Sequence, residues 1–212
     1  DEGYEYIGLG GISGTKFKSS QLVERFDYIF SEVICDKQGM PKIKPHGFGM
    51  TNTPIMFRYP FWSLDSTTWC YNSRCGMICL PGYVNGKYDY MKKIWKVSFS
   101  NRTNINKREG EHFNSLTKKE QQVFIDYLHM KGFQLGKSET KKVKENYVLK
   151  ENESYLWGKH SGMVEVIIEP GVCNVPEERD LINAIYFIDL EKHMPKWPWA
   201  FKLKSVNTFG LI

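Results

Sequence analysis

Over the first ninety residues, apolar runs that close on glycine alternate with apolar positions at helical spacing. Residues 4–12 (YEYIGLGGI) form a short apolar run ending in glycines, as a buried strand does. Ser19 or Ser20 can cap a helix whose inward positions are Leu22, Phe26, Ile29, Phe30 and Val33. Residues 42–50 (KIKPHGFGM) repeat the strand-then-glycine pattern, and residues 61–64 run into Asp65 as a third strand. Strand, helix, strand, short helix, strand is the rhythm of an α/β protein with a parallel sheet.

Further along, the pattern changes. Thr117-Lys118-Lys119-Glu120 reads as a capping box, followed by a helix with Val123, Phe124, Tyr127 and Leu128 on one face and Gly132 as its stop. Residues 137–150 are polar and basic and read as a loop or an exposed helix end. Residues 164–168 suggest a strand. Pro176 opens a helix with Leu181, Ile182, Ile185 and Tyr186 inward, ending before Pro195. The expectation is a barrel-type α/β region over residues 1–90 and a basic, mostly helical α+β appendage over residues 91–212.

Composition narrows the class. The 212 residues are 41% hydrophobic and 25% charged, which excludes disordered and fibrous chains. No apolar run approaches the roughly 20 residues of a membrane span. The start, Asp1 and Glu2, carries no signal-peptide pattern. Five cysteines are an odd and small number, so a reducing cytoplasm is the expected setting. The net charge of +5 is unevenly spread, because residues 86–150 hold 15 Lys or Arg against 7 Asp or Glu. That surplus suits a polyanion, of which nucleic acid is the commonest; a solvated, lysine-rich connection is the bland alternative.

Candidate chemistry gathers at the ends of the predicted strands. Gly8-Leu9-Gly10-Gly11-Ile12-Ser13-Gly14 misses the GxGxxG spacing at Ser13, so a dinucleotide site is not indicated. Such glycines serve either as a tight turn or as a place where a flat ligand approaches the backbone, with the Gly11 and Ile12 N–H groups as donors. Gly47-Phe48-Gly49 repeats the theme. Asp65 stands among Phe61, Trp62 and Trp69; it is either a helix cap or a nucleophile made more reactive by an aromatic wall. Arg74 suits a phosphate. His46 is either a supporting core histidine or a pocket-lining group near a base or phosphate. Cys70, Cys75 and Cys79 have poor zinc spacing, so no metal site is expected. No Ser-His-Asp or Cys-His arrangement can be argued from spacing.

The succession LGGI, HGFG, a strand ending in Asp, then Arg-x-Gly resembles the C-terminal half of the barrel of tRNA-guanine transglycosylases. This superfamily includes the queuine and archaeosine enzymes and the phage and bacterial DNA transglycosylases that install 7-deazaguanines. The resemblance covers about residues 6–80. It matches the family's Gly-Gly-Leu turn to Gly10-Gly11-Ile12, its Gly-x-Gly strand end to Gly47-Phe48-Gly49, its nucleophilic aspartate to Asp65, and its Arg-x-Gly to Arg74-Cys75-Gly76. The family's second aspartate is Ser63 here, the turn's Leu is Ile12, and its zinc-binding cysteines have no counterpart.

The resemblance implies part of a TIM-type barrel and base exchange through a covalent Asp65 intermediate, with no redox or organic cofactor. Implied partners are tRNA or DNA and a guanine or 7-deazaguanine base. The carboxylates that read the base lie on earlier strands in that family. A sheet of about three strands cannot close into a barrel alone. The chain is therefore expected to be the C-terminal part of a split or truncated enzyme, or to need a second chain. A catalytically silent nucleic-acid-binding subunit and a glycosidase-like hydrolase are the rival expectations.

Overall fold

The computed structural model describes residues 3–11, 19–102 and 112–203, along which helices and strands are mixed. The chain divides into two units: Asp1–Thr67 with Tyr90–Lys93 and Lys192–Ile212, and Thr68–Asp89 with Ile94–Glu191. The boundary expected at residue 90 falls at a short stretch that returns to the first unit. There the Thr53 hydroxyl donates to the Lys92 carbonyl (2.9 Å), and the Tyr90 ring stacks on His193 at 4.4 Å.

In the first unit, β1 (Tyr6–Leu9), β2 (Lys44–Gly47) and β3 (Ser63–Leu64) form a parallel sheet in that order. The expected strand-helix-strand rhythm is met by α1 (Ser19–Tyr28) and α2 (Thr53–Arg58). The inward face of α1 differs from the expectation, because the helix widens into a π turn over Ile29–Ile34. A wider turn shifts the inward position from i+3 to i+4. Phe26, Phe30 and Ile34 are buried in consequence, while Val33 is half exposed. Phe26, Phe30, Tyr59, Phe61 and Phe201 pack ring against ring. The Tyr59 hydroxyl and the Nε and Nη2 donors of Arg58 converge on Asp27, tying α2 to α1.

In the second unit, α3 (Thr68–Arg74) leads to β4 (Met77–Leu80), which is buried throughout and antiparallel to β7 (Trp95–Ser98). Between them lies the hairpin of β5 (Gly82–Val84) and β6 (Lys87–Asp89). Its turn is Asn85-Gly86, both at positive φ (51° and 78°), as a tight two-residue turn requires. The capping box at Thr117 forms as expected, and α4 (Lys118–Met130) buries Val123, Phe124, Tyr127 and Leu128. Phe124, Tyr127 and Leu128 pack with Ile78, Leu80, Val97, Phe99 and Ile182 in one core.

Two expectations fail here. Residues 137–142 form β8 (Lys137–Lys142), not a loop; it pairs with β10 (Met163–Glu169), which also pairs with β9 (Glu153–Tyr155). KSETKK has no apolar residue, so its strand state comes from the apolar partner strand. Among the described residues beyond 90, four strands accompany the two long helices, an α+β mixture. The inward face of α5 (Pro176–His193) is also rotated, with Asn183 fully buried and Leu181 exposed.

No sheet among the described residues closes into a barrel. No helix among them is long and apolar enough to cross a membrane.

Candidate functional site

Side chains alternate across a strand, so the parallel sheet sorts its residues into two faces. Ile7, Leu9, Pro45, Gly47 and Leu64 share one face. Tyr6, Gly8, Gly10, Lys44, His46, Phe48, Ser63 and Asp65 share the other, along the strands and their immediate extensions. The first face is the covered one. A Cβ on Gly47 would stand 2.7 Å from Leu64 Cδ2 and 3.1 Å from Phe61 Cε1, and Phe61 packs on Phe26 and Phe30 of α1. Gly47 thus serves close packing on the core side. The second face is polar and partly exposed.

Pro45 shapes this sheet. Its carbonyl accepts the Trp62 N–H (2.8 Å), so its backbone polar groups face β3. With no N–H of its own, it cannot continue the ladder toward Phe61. The pairing with β3 is accordingly short, and the chain passes directly to Asp65.

Asp65 is held from both backbone and side chain. Its N–H donates to the Gly47 carbonyl (3.2 Å), and its carbonyl accepts the Met50 N–H (3.0 Å). Its carboxylate Oδ1 accepts the Gly49 N–H at 2.7 Å. Gly49 adopts a φ of 65°, which an L side chain takes at a cost, and this turns its N–H onto the carboxylate. Oδ2 lies 3.6 Å from His46 Nε2, an ion-pair distance; the Asp65 side chain is 55% exposed and that of His46 14%. The other ring nitrogen of His46 lies 2.8 Å from Ser63 Oγ, and Ser63 Oγ lies 3.0 Å from the Tyr6 hydroxyl. The Phe48 ring meets the His46 ring edge-on at 4.4 Å.

The expected aromatic wall does not form around Asp65 within this unit. Phe61 turns into the core, and Trp62 packs on Trp197 with the Lys44 ammonium 5.0 Å over its ring. The carboxylate is oriented by donors rather than stripped of water.

Of the other residues singled out by sequence, Gly10 is exposed beside Phe48, and Gly8 leaves the space that the Phe48 ring enters. Gly11 takes a φ of 77°, with open space over its α-carbon. Ile12 lies outside the described residues. Arg74 is exposed at the end of α3, in the second unit. His46, Gly47, Gly49 and Asp65 are brought together; Ser63 and Tyr6 join them and were missed as functional residues. Their signal was parity along the strands, which becomes readable only when the register is known.

Among the described residues no group of three His, Cys, Asp or Glu side chains is placed to hold a metal ion. Cys79 is buried and accepts from the Asn72 amide, and burial pushes its thiol pKa up.

No family model, curated protein or solved structure matches this chain.

Proposed function

We propose that this chain carries the nucleophile of a base-exchange transglycosylase acting on nucleic acid. Asp65 attacks C1′ of a target guanosine, and guanine leaves with the electron pair of the glycosidic bond. A 7-deazaguanine then attacks C1′ through N9 and frees the carboxylate, its N9 proton balancing the one the departed guanine takes up. The observation that carries this reading is the setting of Asp65: half exposed at the C-terminal end of a parallel sheet, with Oδ1 fixed by the Gly49 N–H. A carboxylate so held is aimed but still open to a substrate.

On this reading the three strands belong to a TIM-type barrel whose remaining strands come from the rest of a split or truncated enzyme or from a second chain. The polar face bearing His46, Ser63 and Asp65 then turns inward, opposite the face that α1 covers. Gly10, Gly11 and Ile12 receive the base, while Arg74 and the basic segment hold the backbone. A reducing cytoplasm suits the five free cysteines.

The test incubates the full-length protein, with any chain that co-purifies, with tRNA or duplex DNA and labelled guanine. Incorporation of label into polymer supports exchange, and Asp65→Asn is expected to abolish it while binding and the urea midpoint stay near wild type. Release of base without incorporation supports a hydrolase. Binding without either reaction supports a silent subunit.

A further inference from the structure

We infer that Tyr6, Ser63 and His46 form a hydrogen-bonded relay that positions the Asp65 carboxylate and makes its reactivity depend on a neutral His46. What Asp65 does rests on the transglycosylase reading; the relay itself does not.

Counting donors and acceptors leads to one assignment. A carboxylate can only accept. Its Oδ1 takes the Gly49 N–H at 2.7 Å, and its Oδ2 faces His46 Nε2 at 3.6 Å. If the neutral ring carried its proton on Nδ1, a lone pair on Nε2 would face the carboxylate. The favourable tautomer therefore has Nε2–H toward Asp65 and a bare Nδ1 toward Ser63. Ser63 Oγ, 2.8 Å away, must then donate to Nδ1. With that proton committed, it accepts from the Tyr6 hydroxyl at 3.0 Å. Every group in the series uses its proton once. The edge-on Phe48 ring buttresses the imidazole, which is largely buried.

Ser63, His46 and Asp65 together suggest a hydrolytic triad, but the geometry disfavours one. Ser63 Oγ is engaged on both sides on a half-buried strand, whereas the carboxylate is the exposed group. His46 acts through Asp65 and is a positioning residue. The 3.6 Å separation is too long for a hydrogen bond, and such contacts commonly tighten when substrate binds.

A neutral donor orients the carboxylate without discharging it. A second proton on the ring would displace the Ser63 donor from Nδ1 and draw the carboxylate into a full ion pair, weakening it as a nucleophile. Among the described residues, the titratable and charged groups around the ring are Tyr6 on β1, Asp65 beyond β3, and Lys44 on β2, whose ammonium is drawn over Trp62. The relay passes no proton during attack: the C1′–O bond forms, the C1′–N bond breaks, and the electron pair leaves with the base.

Nitrogen-15 NMR of the full protein reads the tautomer without any exchange activity, with the His46 signals assigned by their loss in His46→Gln. The expected result is a pyrrole-type resonance for Nε2 and a pyridine-type one for Nδ1. In Ser63→Ala the Nδ1 resonance is expected to move toward the unbonded value, and in Tyr6→Phe less far in the same direction. A neutral ring protonated at Nδ1, or an Nδ1 resonance indifferent to Ser63→Ala, overturns the relay.

Exchange assays then test its consequence. His46→Gln keeps an N–H near the Nε2 position without a titrating group. It should recover much of the rate that a side chain without an N–H loses, with a flatter acid limb than wild type. His46→Leu should lose about a hundredfold, as expected when a reacting group is misplaced by about an ångström. An unchanged acid limb in His46→Gln refutes the relay's role. A wild-type chain that exchanges no base refutes the transglycosylase reading, while the tautomer still decides the relay.

Discussion

Lys141 on β8 serves two partners at once. Its ammonium donates to Glu153 Oε1 and to the Tyr147 hydroxyl, and Tyr147 donates in turn to Glu153 Oε2 (2.8 Å). The Lys141 hydrogen bond, helped by the Lys150 N–H and Tyr147, holds the Glu153 carboxyl at about 2, well below its ordinary 4.5. A carboxyl depressed on folding stabilises the protein above its unfolded pKa, and that stability is lost as pH falls through the folded one. The contribution of Glu153 is therefore expected to be complete above about pH 4.5 and to fade toward pH 2. Urea midpoints measured between pH 6 and pH 2 should fall less steeply in Glu153→Gln than in wild type. Identical slopes for the two proteins would show that the pair contributes nothing to folding.

Single polar residues also decide how whole elements sit. The Asn183 side chain on α5 accepts the Cys79 N–H (2.8 Å) and donates to the Trp69 and Met77 carbonyls (3.0 and 3.1 Å). It joins α5 to α3 and β4 and accounts for the rotated inward face. Arg179, one turn earlier and buried, donates to the Ser73 and Val172 carbonyls. Replacing Asn183 with Leu removes all three of these hydrogen bonds, and a buried donor that loses its acceptor, such as the Cys79 N–H, costs about 1–3 kcal/mol. The variant is expected to lose on the order of 3 kcal/mol in a urea titration. A loss below about 1 kcal/mol would mean that water or a shift of α5 replaces these bonds.

Across the whole molecule, the basic surplus of residues 86–150 is smaller than its count suggests. Lys131 pairs with Asp189, Lys141 with Glu153, and Arg102 with Glu165. All three acidic partners lie outside the segment. Lys142 and Lys144 are exposed, and on the proposed nucleic-acid reading they are the better candidates for phosphate contacts. Replacing both with Gln is expected to make the salt dependence of nucleic-acid binding shallower by about one to two units, since each phosphate contact contributes about 0.7–0.9. Lys141→Gln should instead lower stability and leave that slope nearly unchanged. An unaltered slope in the double variant makes residues 142–144 a solvated surface and moves the polyanion site elsewhere.

What the chain's order of residues determined by itself was local. The capping box at Thr117, the glycine stop at Gly132, the strands closing on glycines and the helix opening at Pro176 depend on neighbours within a few positions, so they are legible. The Asn85-Gly86 hairpin turn is an equally local signal. Asp65 and His46 were marked because they stand beside glycine-rich strand ends. Tertiary structure decided everything that depends on a partner distant in sequence. β8 is a strand because β10 lies beside it, and the inward face of α5 follows Asn183 because its amide bonds backbone groups of β4 and α3. The π turn puts Ile34, not Val33, in the core. The series Tyr6, Ser63, His46, Asp65 exists only in the register of β1, β2 and β3. A shift of one residue in any strand would send its member to the opposite face, because side chains alternate with a period of two.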